Sequence, residues 1–254
     1  MASVARLGHP DGQPIFAKDV FSRRSKFFCY QEGCSARMHI VSMGDQRAHF
    51  RSSSIDEHRY SYCLRQDIAF NPDEYDENQF HINKFIKTIL SGTTKASIHN
   101  HDNGRGGSVG TGSRICINTL KGFYAAYLHY GINGKYGDCY ISDFLCGYDN
   151  YATCKRGFTG FKVVEATYFY AIKEESAIVF NFPSYDSEHS SHIKAIFTDN
   201  GDRMSVIKHC KAIKRFWMRP ILIAGDWKTS NDESVIAECV INKRTQHAYI
   251  VDNN

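Results

Sequence analysis

The sequence predicts an α+β protein in four parts: a small cysteine-bearing β module (1–66), a helix followed by a glycine-rich linker (67–113), a helical connecting region (114–160) and a β-rich last third (161–254). Three observations predict this architecture. The first quarter contains two matched pairs of metal-binding side chains, the middle contains two apolar stripes at helical spacing, and the last third contains alternating apolar runs. Side chains return to the same face every ~3.6 residues in a helix and every ~2 in a strand, so the spacing of apolar residues distinguishes helical parts of the chain from β-rich parts.

The first element is a stretch with two pairs of candidate metal ligands, Cys29 with Cys34 and His58 with Cys63, each pair separated by four residues. Thiolates and imidazole are the ligands of tetrahedral structural zinc sites. Few large apolar residues surround the pairs, so metal binding would supply folding free energy that a small core cannot. We therefore predict a Zn²⁺ site. Two alternatives remain: the cysteines are core thiols and His58 is a surface residue, or His49 replaces His58.

The motifs of this stretch resemble a known bacterial module. PDGQPIFAKDV, the aromatic-Cys step FFC, the turn EGC, the strand HFR and the final H-x-x-x-x-C are similar to the N-terminal zinc ribbon of competence-protein CoiA-like proteins. The resemblance covers about the first quarter of the chain and implies Cys29, Cys34, His58 and Cys63 as ligands. In CoiA-like proteins a nuclease domain often follows, and it opens with a helix that carries an acidic residue, a His and a Lys.

The second element is an apolar stripe between Asn71 and Leu90, which predicts a helix. Glu77, His81 and Lys84 on it stand where the resemblance implies nuclease residues. Residues three and four apart share a helix face, and such a charged string is more often a solvated face than a catalytic one. We therefore expect a binding protein rather than an enzyme. The segment 91–113 is rich in Gly, Ser and Thr and is predicted to be a linker.

The third element is a second apolar stripe between Arg114 and Tyr130, which predicts another helix. From Phe161 onward, five β-rich runs follow, with a helix predicted around Met204–Phe216 between the third and fourth runs. Five strands with a helix in that place match the order of a small closed barrel, the OB-fold. A small open α+β sheet is the alternative architecture.

Composition limits the remaining classes. The chain has 254 residues, a formal net charge of +4 and nine cysteines, an odd number. No apolar run approaches the length of a membrane span, and the amino terminus lacks the apolar segment of a signal peptide. Thiols without a secretory signal indicate a reducing compartment. We therefore expect a cytoplasmic protein with metal-bound and buried thiols rather than disulfides.

Basic and aromatic residues concentrate around the predicted fourth strand of the last third. Cationic side chains follow a nucleic-acid backbone and aromatic rings stack on bases, so this cluster predicts nucleic-acid binding. The alternative is that the tryptophans are core and the lysines a solubilising surface. The candidate binding residues are Lys208, Lys211, Lys214, Arg215, Trp217, Arg219 and Lys228.

Together these features predict a non-catalytic, zinc-containing, nucleic-acid-binding protein whose partner is DNA or single-stranded nucleic acid. The setting, bacterial or mobile-element, follows only from the CoiA-like resemblance. Two other functions stay open: a CoiA-like nuclease, and a protein-interaction or sensor module that binds a protein partner or a second copy of the chain.

Overall fold

The computed structural model describes residues 4–31, 33–44, 48–52, 70, 72, 75–93, 116–182, 191–211 and 220–250. It contains several sheets and five α-helices in this described part, and the predicted α+β class is confirmed.

The amino-terminal module is a five-stranded antiparallel sheet. Its strands are β1 (Val4–Leu7), β2 (Pro14–Phe16), β3 (Phe27–Phe28), β4 (Arg37–Val41) and β5 (His49–Ser52), in the order β2-β1-β3-β4-β5. Alternation along the strands builds a small core on one face. In β4, Met38 and Ile40 are buried while Arg37 and His39 are exposed. The seven buried side chains of this core are Ala5, Ala17, Val20, Phe27, Met38, Ile40 and Phe50.

The middle of the chain is mainly helical. Its elements are α1 (Ile82–Ser91), α2 (Leu120–Tyr130), β6 (Lys135–Tyr136), β7 (Cys139–Tyr140), α3 (Ile141–Phe144), β8 (Leu145–Cys146) and α4 (Tyr151–Cys154). The strands β6 and β7 form a separate antiparallel pair. The first predicted helix is shorter than expected, because Glu77–Gln79 is a 3-10 turn and α1 begins at Ile82.

The start of each long helix has a local cause. An Oδ1 atom of Asp138 accepts the backbone N–H of Ile82 at 2.9 Å, so a side chain from another part of the chain caps α1. The second predicted helix begins at Leu120 because the Thr119 side chain accepts the N–H of Gly122 at 3.1 Å. Sequence patterns give the helix but not the residue at which a distant cap fixes its start.

The last third forms the larger sheet, which β8 joins by pairing with β9. Its strands are β9 (Gly160–Ile172), β10 (Ala177–Phe182), β11 (Ser191–Phe197), β12 (Pro220–Trp227), β13 (Val235–Ile241) and β14 (His247–Tyr249), with α5 (Asn200–Lys211) between β11 and β12. The order is β13-β11-β10-β9-β12-β14, and all neighbours are antiparallel except β11 and β13. Each of the five predicted runs forms a strand, and the last one divides into β13 and β14.

This sheet has a separate apolar layer on each face. Ile221 and Ile223 of β12 belong to a buried cluster with α5, whereas Leu222 and Ala224 belong to a cluster with α1 and α2. The central helices therefore pack against the sheet of the last third, and both faces of β12 are buried. This explains why β12 is a continuous apolar run rather than an alternating one.

The predicted closed barrel is not formed by the described strands. There β12 and β13 meet at a single backbone bridge, between Lys228 and Glu238. Beyond it, the Gln246 side chain donates to the carbonyl oxygens of Ala224 at 3.1 Å and Val240 at 3.3 Å. The buried amide of Gln246 satisfies carbonyl groups that a continued ladder would have paired, so the sheet is open at this edge.

Candidate metal centre and nucleic-acid interface

The turn between β3 and β4 carries two of the four predicted zinc ligands. The N–H of Cys29 donates to the carbonyl of Ala36 at 2.9 Å, and the N–H of Cys34 donates to Gln31 at 3.1 Å. Gly33 has φ 71°, a left-handed conformation that costs glycine little. These bonds close a tight turn that places Cys29 and Cys34 at its two ends.

Both thiols are fully buried, and the described core of the module contains only seven other side chains. Cys29 and Cys34 are each 0% exposed and form a small cluster with Ala36. None of the eight described cysteines is in a disulfide. The described residues contain no group of three or more side chains arranged to hold a metal ion. The predicted ligands His58 and Cys63 lie outside the described residues. The structure thus describes one half of the predicted donor set.

The face of the amino-terminal sheet opposite its core carries basic and aromatic side chains. Directly opposed residues of neighbouring strands share a face, and the pairing sets Arg6 opposite Phe28, Phe28 opposite Arg37, and His39 opposite Arg51. We call the surface of these five residues the basic face. Arg37, His39 and Arg51 are exposed, and the Arg6 guanidinium also lies 5.3 Å from the centre of the Tyr30 ring.

No described strand position on the basic face is acidic. The described acidic residues of the module are Asp11 and Asp19, which lie in a turn and a 3-10 helix. The sequence contains a signal for this asymmetry: residues 1–66 have ten Lys or Arg and six Asp or Glu, an excess that equals the +4 of the whole chain. Clusters of basic residues along the chain do not reveal this face, because the arginines of a sheet face are separated in the sequence.

The nucleic-acid residues predicted in the last third are only partly described. Lys208 and Lys211 are exposed on α5, and the Lys211 ammonium lies 5.7 Å from the centre of the Tyr168 ring. Lys214, Arg215, Trp217 and Arg219 lie outside the described residues.

The neighbouring Trp227 is not available for base stacking. It is 2% exposed, its Nε1 donates to the carbonyl of Lys162 at 3.1 Å, and its ring meets Phe158 edge-on at 5.3 Å. This matches the alternative that a tryptophan of this cluster is core.

Lys228, the last member of the predicted cluster, belongs to an ion-pair network across β11 and β13. Its ammonium is 3.1 Å from Glu238, and Lys194 is 3.2 Å from both Glu238 and Glu175. Burial disfavours the charged form of Glu238, but hydrogen bonds from the two lysines outweigh it and lower the pKa of this carboxyl. The network compensates positive charge on this part of the sheet.

Glu77, His81 and Lys84, which the CoiA-like resemblance sets in the place of nuclease residues, do not lie on one helix face. Glu77 lies in the 3-10 turn, and its carboxylate accepts the N–H of Gly137 at 3.3 Å. His81 directly precedes α1 with Nδ1 3.5 Å from Asp138, and Lys84 lies within the first turn of α1. His81 and Lys84 line a cavity whose described wall does not contain Glu77.

Comparisons with protein-family models, with curated proteins and with solved structures find no match to this chain. Within the described part of the chain, no helix combines the length and the apolar composition that a membrane span requires.

Proposed function

We propose that this chain is a non-catalytic, zinc-containing nucleic-acid-binding protein, and that the basic face of the amino-terminal sheet contacts the nucleic acid. The observation that supports this proposal is the row of Arg6, Phe28 and Arg37, directly opposed across three neighbouring strands. Arginine binds phosphate and an aromatic ring stacks on a base, so one row offers both kinds of contact. His39 and Arg51 extend the surface toward β5.

The buried turn supports zinc as the structural cofactor of this module. Two fully buried thiols at the ends of one tight turn suit half of a tetrahedral site. His58 and Cys63 would complete it, as in the CoiA-like zinc ribbon. The metal would then hold the turn between β3 and β4, and with it the register that aligns Phe28 with Arg37.

We further infer that the last third is an OB-like barrel that is incompletely closed. Support comes from its topology: β9, β10 and β11 form an antiparallel meander, β11 pairs parallel with β13, and α5 lies between the third and fourth strands. Alternate residues of all five strands enter one core cluster. OB-folds bind oligonucleotides across their second and third strands. Here Lys194 on that surface is paired with two carboxylates, which makes it a poor phosphate ligand.

Fluorescence anisotropy of labelled single-stranded DNA and of the matching duplex, over a salt series, tests the proposal. The double variant Arg37→Gln/Arg51→Gln should bind more weakly and lower the slope of log affinity against log salt by about 2, since each lost phosphate contact removes about 1. The matched control is Lys208→Gln/Lys211→Gln on α5, which should change the slope by much less.

Zinc content of both double variants should equal that of the wild type, which separates loss of contact from loss of folding. Equal slopes for wild type and the arginine variant would overturn the proposal. A larger effect of the α5 variant would move the interface to the last third.

A further inference from the structure

A cavity of about 370 Å³ opens beside α1. Its apolar wall is formed by Phe80, Phe85 and Ile117, which belong to the core shared with the large sheet. Its polar wall is formed by Gln79, His81, Lys84, Thr88, Thr93, Cys116 and Asn118. A volume above about 300 Å³ with an apolar wall and a few polar groups is typical of small-molecule sites.

The described wall of this cavity contains one cationic side chain, Lys84, together with the imidazole of His81, and none of its described residues is acidic. Asp138 lies behind the imidazole: one of its oxygens is 3.5 Å from His81 Nδ1, and the other accepts the N–H of Ile82. The bond to Ile82 holds the Asp138 carboxylate at the start of α1, beside Nδ1 of His81.

The wall also contains a thiol unlike the others. Of the eight described cysteines, seven are buried and Cys116 is partly exposed. Its Sγ donates to the carbonyl oxygen of Gln79 at 3.2 Å, which fixes the thiol against the wall. Cys116 is therefore a chemical reporter for whatever enters the cavity.

We propose that this cavity binds a small organic anion with a flat apolar body and a carboxylate or phosphate group. The body contacts Phe80, Phe85 and Ile117, and the anionic group is bound by Lys84 and His81. Apolar contact supplies affinity, and the two polar side chains orient the molecule. No residue of the basic face lines this cavity, so the proposal is independent of nucleic-acid binding.

The test uses two aromatic disulfides that differ in charge, the anionic dithiobis(nitrobenzoate) and the neutral dithiodipyridine. In each reaction the Cys116 thiolate attacks one sulfur, a mixed disulfide forms, an aryl thiolate leaves, and the thiol proton goes to solvent. The phase lost in Cys116→Ser identifies this thiol. The rate with the anionic reagent divided by the rate with the neutral reagent is independent of the intrinsic reactivity of the thiol. This ratio reports the preference of the site for an anion.

Lys84→Gln should lower that ratio by roughly tenfold, the scale of a local charge effect on encounter. Lys87→Gln, an exposed lysine on α1 outside the cavity wall, is the matched control and should leave the ratio nearly unchanged. Free nitrobenzoate should slow the reaction of the wild type by competition, and much less so that of Lys84→Gln. Equal ratios in the wild type and Lys84→Gln, equal effects of the two lysines, or no competition would overturn the proposal.

Discussion

The two sheets of this molecule differ in how much apolar surface each buries. The described core of the amino-terminal sheet has seven side chains, two of them alanines. The sheet of the last third is covered by one cluster of twenty buried residues and another of eighteen. The described core of the amino-terminal sheet is therefore the smaller one, and small cores are the ones that a metal or another cross-link commonly stabilises.

They also differ in how their charges are used. On the basic face, arginines lie beside aromatic rings and the described strands add no carboxylate. In the larger sheet, Lys194 and Lys228 are paired with Glu175 and Glu238. The described strands of the amino-terminal sheet thus present basic side chains on one face, whereas both lysines of the larger sheet are held by carboxylates.

The largest expected effect comes from the proposed zinc site. Cys34→Ser should release the metal and unfold the amino-terminal module, since structural zinc contributes an apparent free energy of about 10 kcal/mol or more. The thermal transition of the last third should persist. Metal analysis and limited proteolysis measure the two responses. Cys116→Ser is the matched control and should keep its zinc; unchanged zinc content in Cys34→Ser would remove this cysteine from the site.

The reverse change should affect only the larger sheet. Phe180 in β10 is 0% exposed within its core, so Phe180→Ala should cost about 3–5 kcal/mol of unfolding free energy. Denaturant unfolding measures the loss, and zinc content should not change. If zinc were released in parallel, the two sheets would fold as one unit and the contrast between them would fail.

A smaller effect is expected from the buried His247 in β14. Burial, assisted by the charge of Arg244, lowers the pKa of its imidazole to about 3. Because the unfolded chain binds a proton near the ordinary pKa of 6.5 and the folded chain does not, stability is full above that value and falls as the pH drops toward 3.

The contribution of one such group is about 1.4 kcal/mol per pH unit. The free energy of unfolding, measured in denaturant, should therefore fall by about 2 kcal/mol more in wild type than in His247→Phe between about pH 7 and about pH 5. His9→Phe, at an exposed turn, should behave like the wild type. Identical pH profiles for His247→Phe and wild type would show that His247 does not titrate in this way.

The smallest effect is expected from the surface ion pair of the larger sheet. The Lys228 side chain is 67% exposed, so Lys228→Met should lower the free energy of unfolding by less than about 1 kcal/mol. The same variant should leave the affinity for DNA unchanged if the basic face is the interface. A marked loss of affinity, measured by anisotropy, would restore Lys228 to the binding surface.

Several elements could be predicted because their signals are local. Alternation over Arg37–Val41 gives β4 and the two faces of its sheet, and the Cys29 to Cys34 spacing predicts a turn that brings two thiols to one module. The prediction of a helix around Met204–Phe216 corresponds to α5, which starts at Asn200. The start of α1 could not be predicted, because the Asp138 side chain that caps it is 56 residues away.

The sequence by itself determined the α+β class, the strands, the excess of positive charge in the first quarter and the spacing of the cysteines. Only the tertiary structure decided that Arg6, Phe28 and Arg37 form one row, that Gln246 satisfies carbonyls at the open edge, and that Lys194 is held between two carboxylates. The reason is physical: periodicity fixes which face a side chain occupies, whereas strand register and long-range packing fix its neighbours.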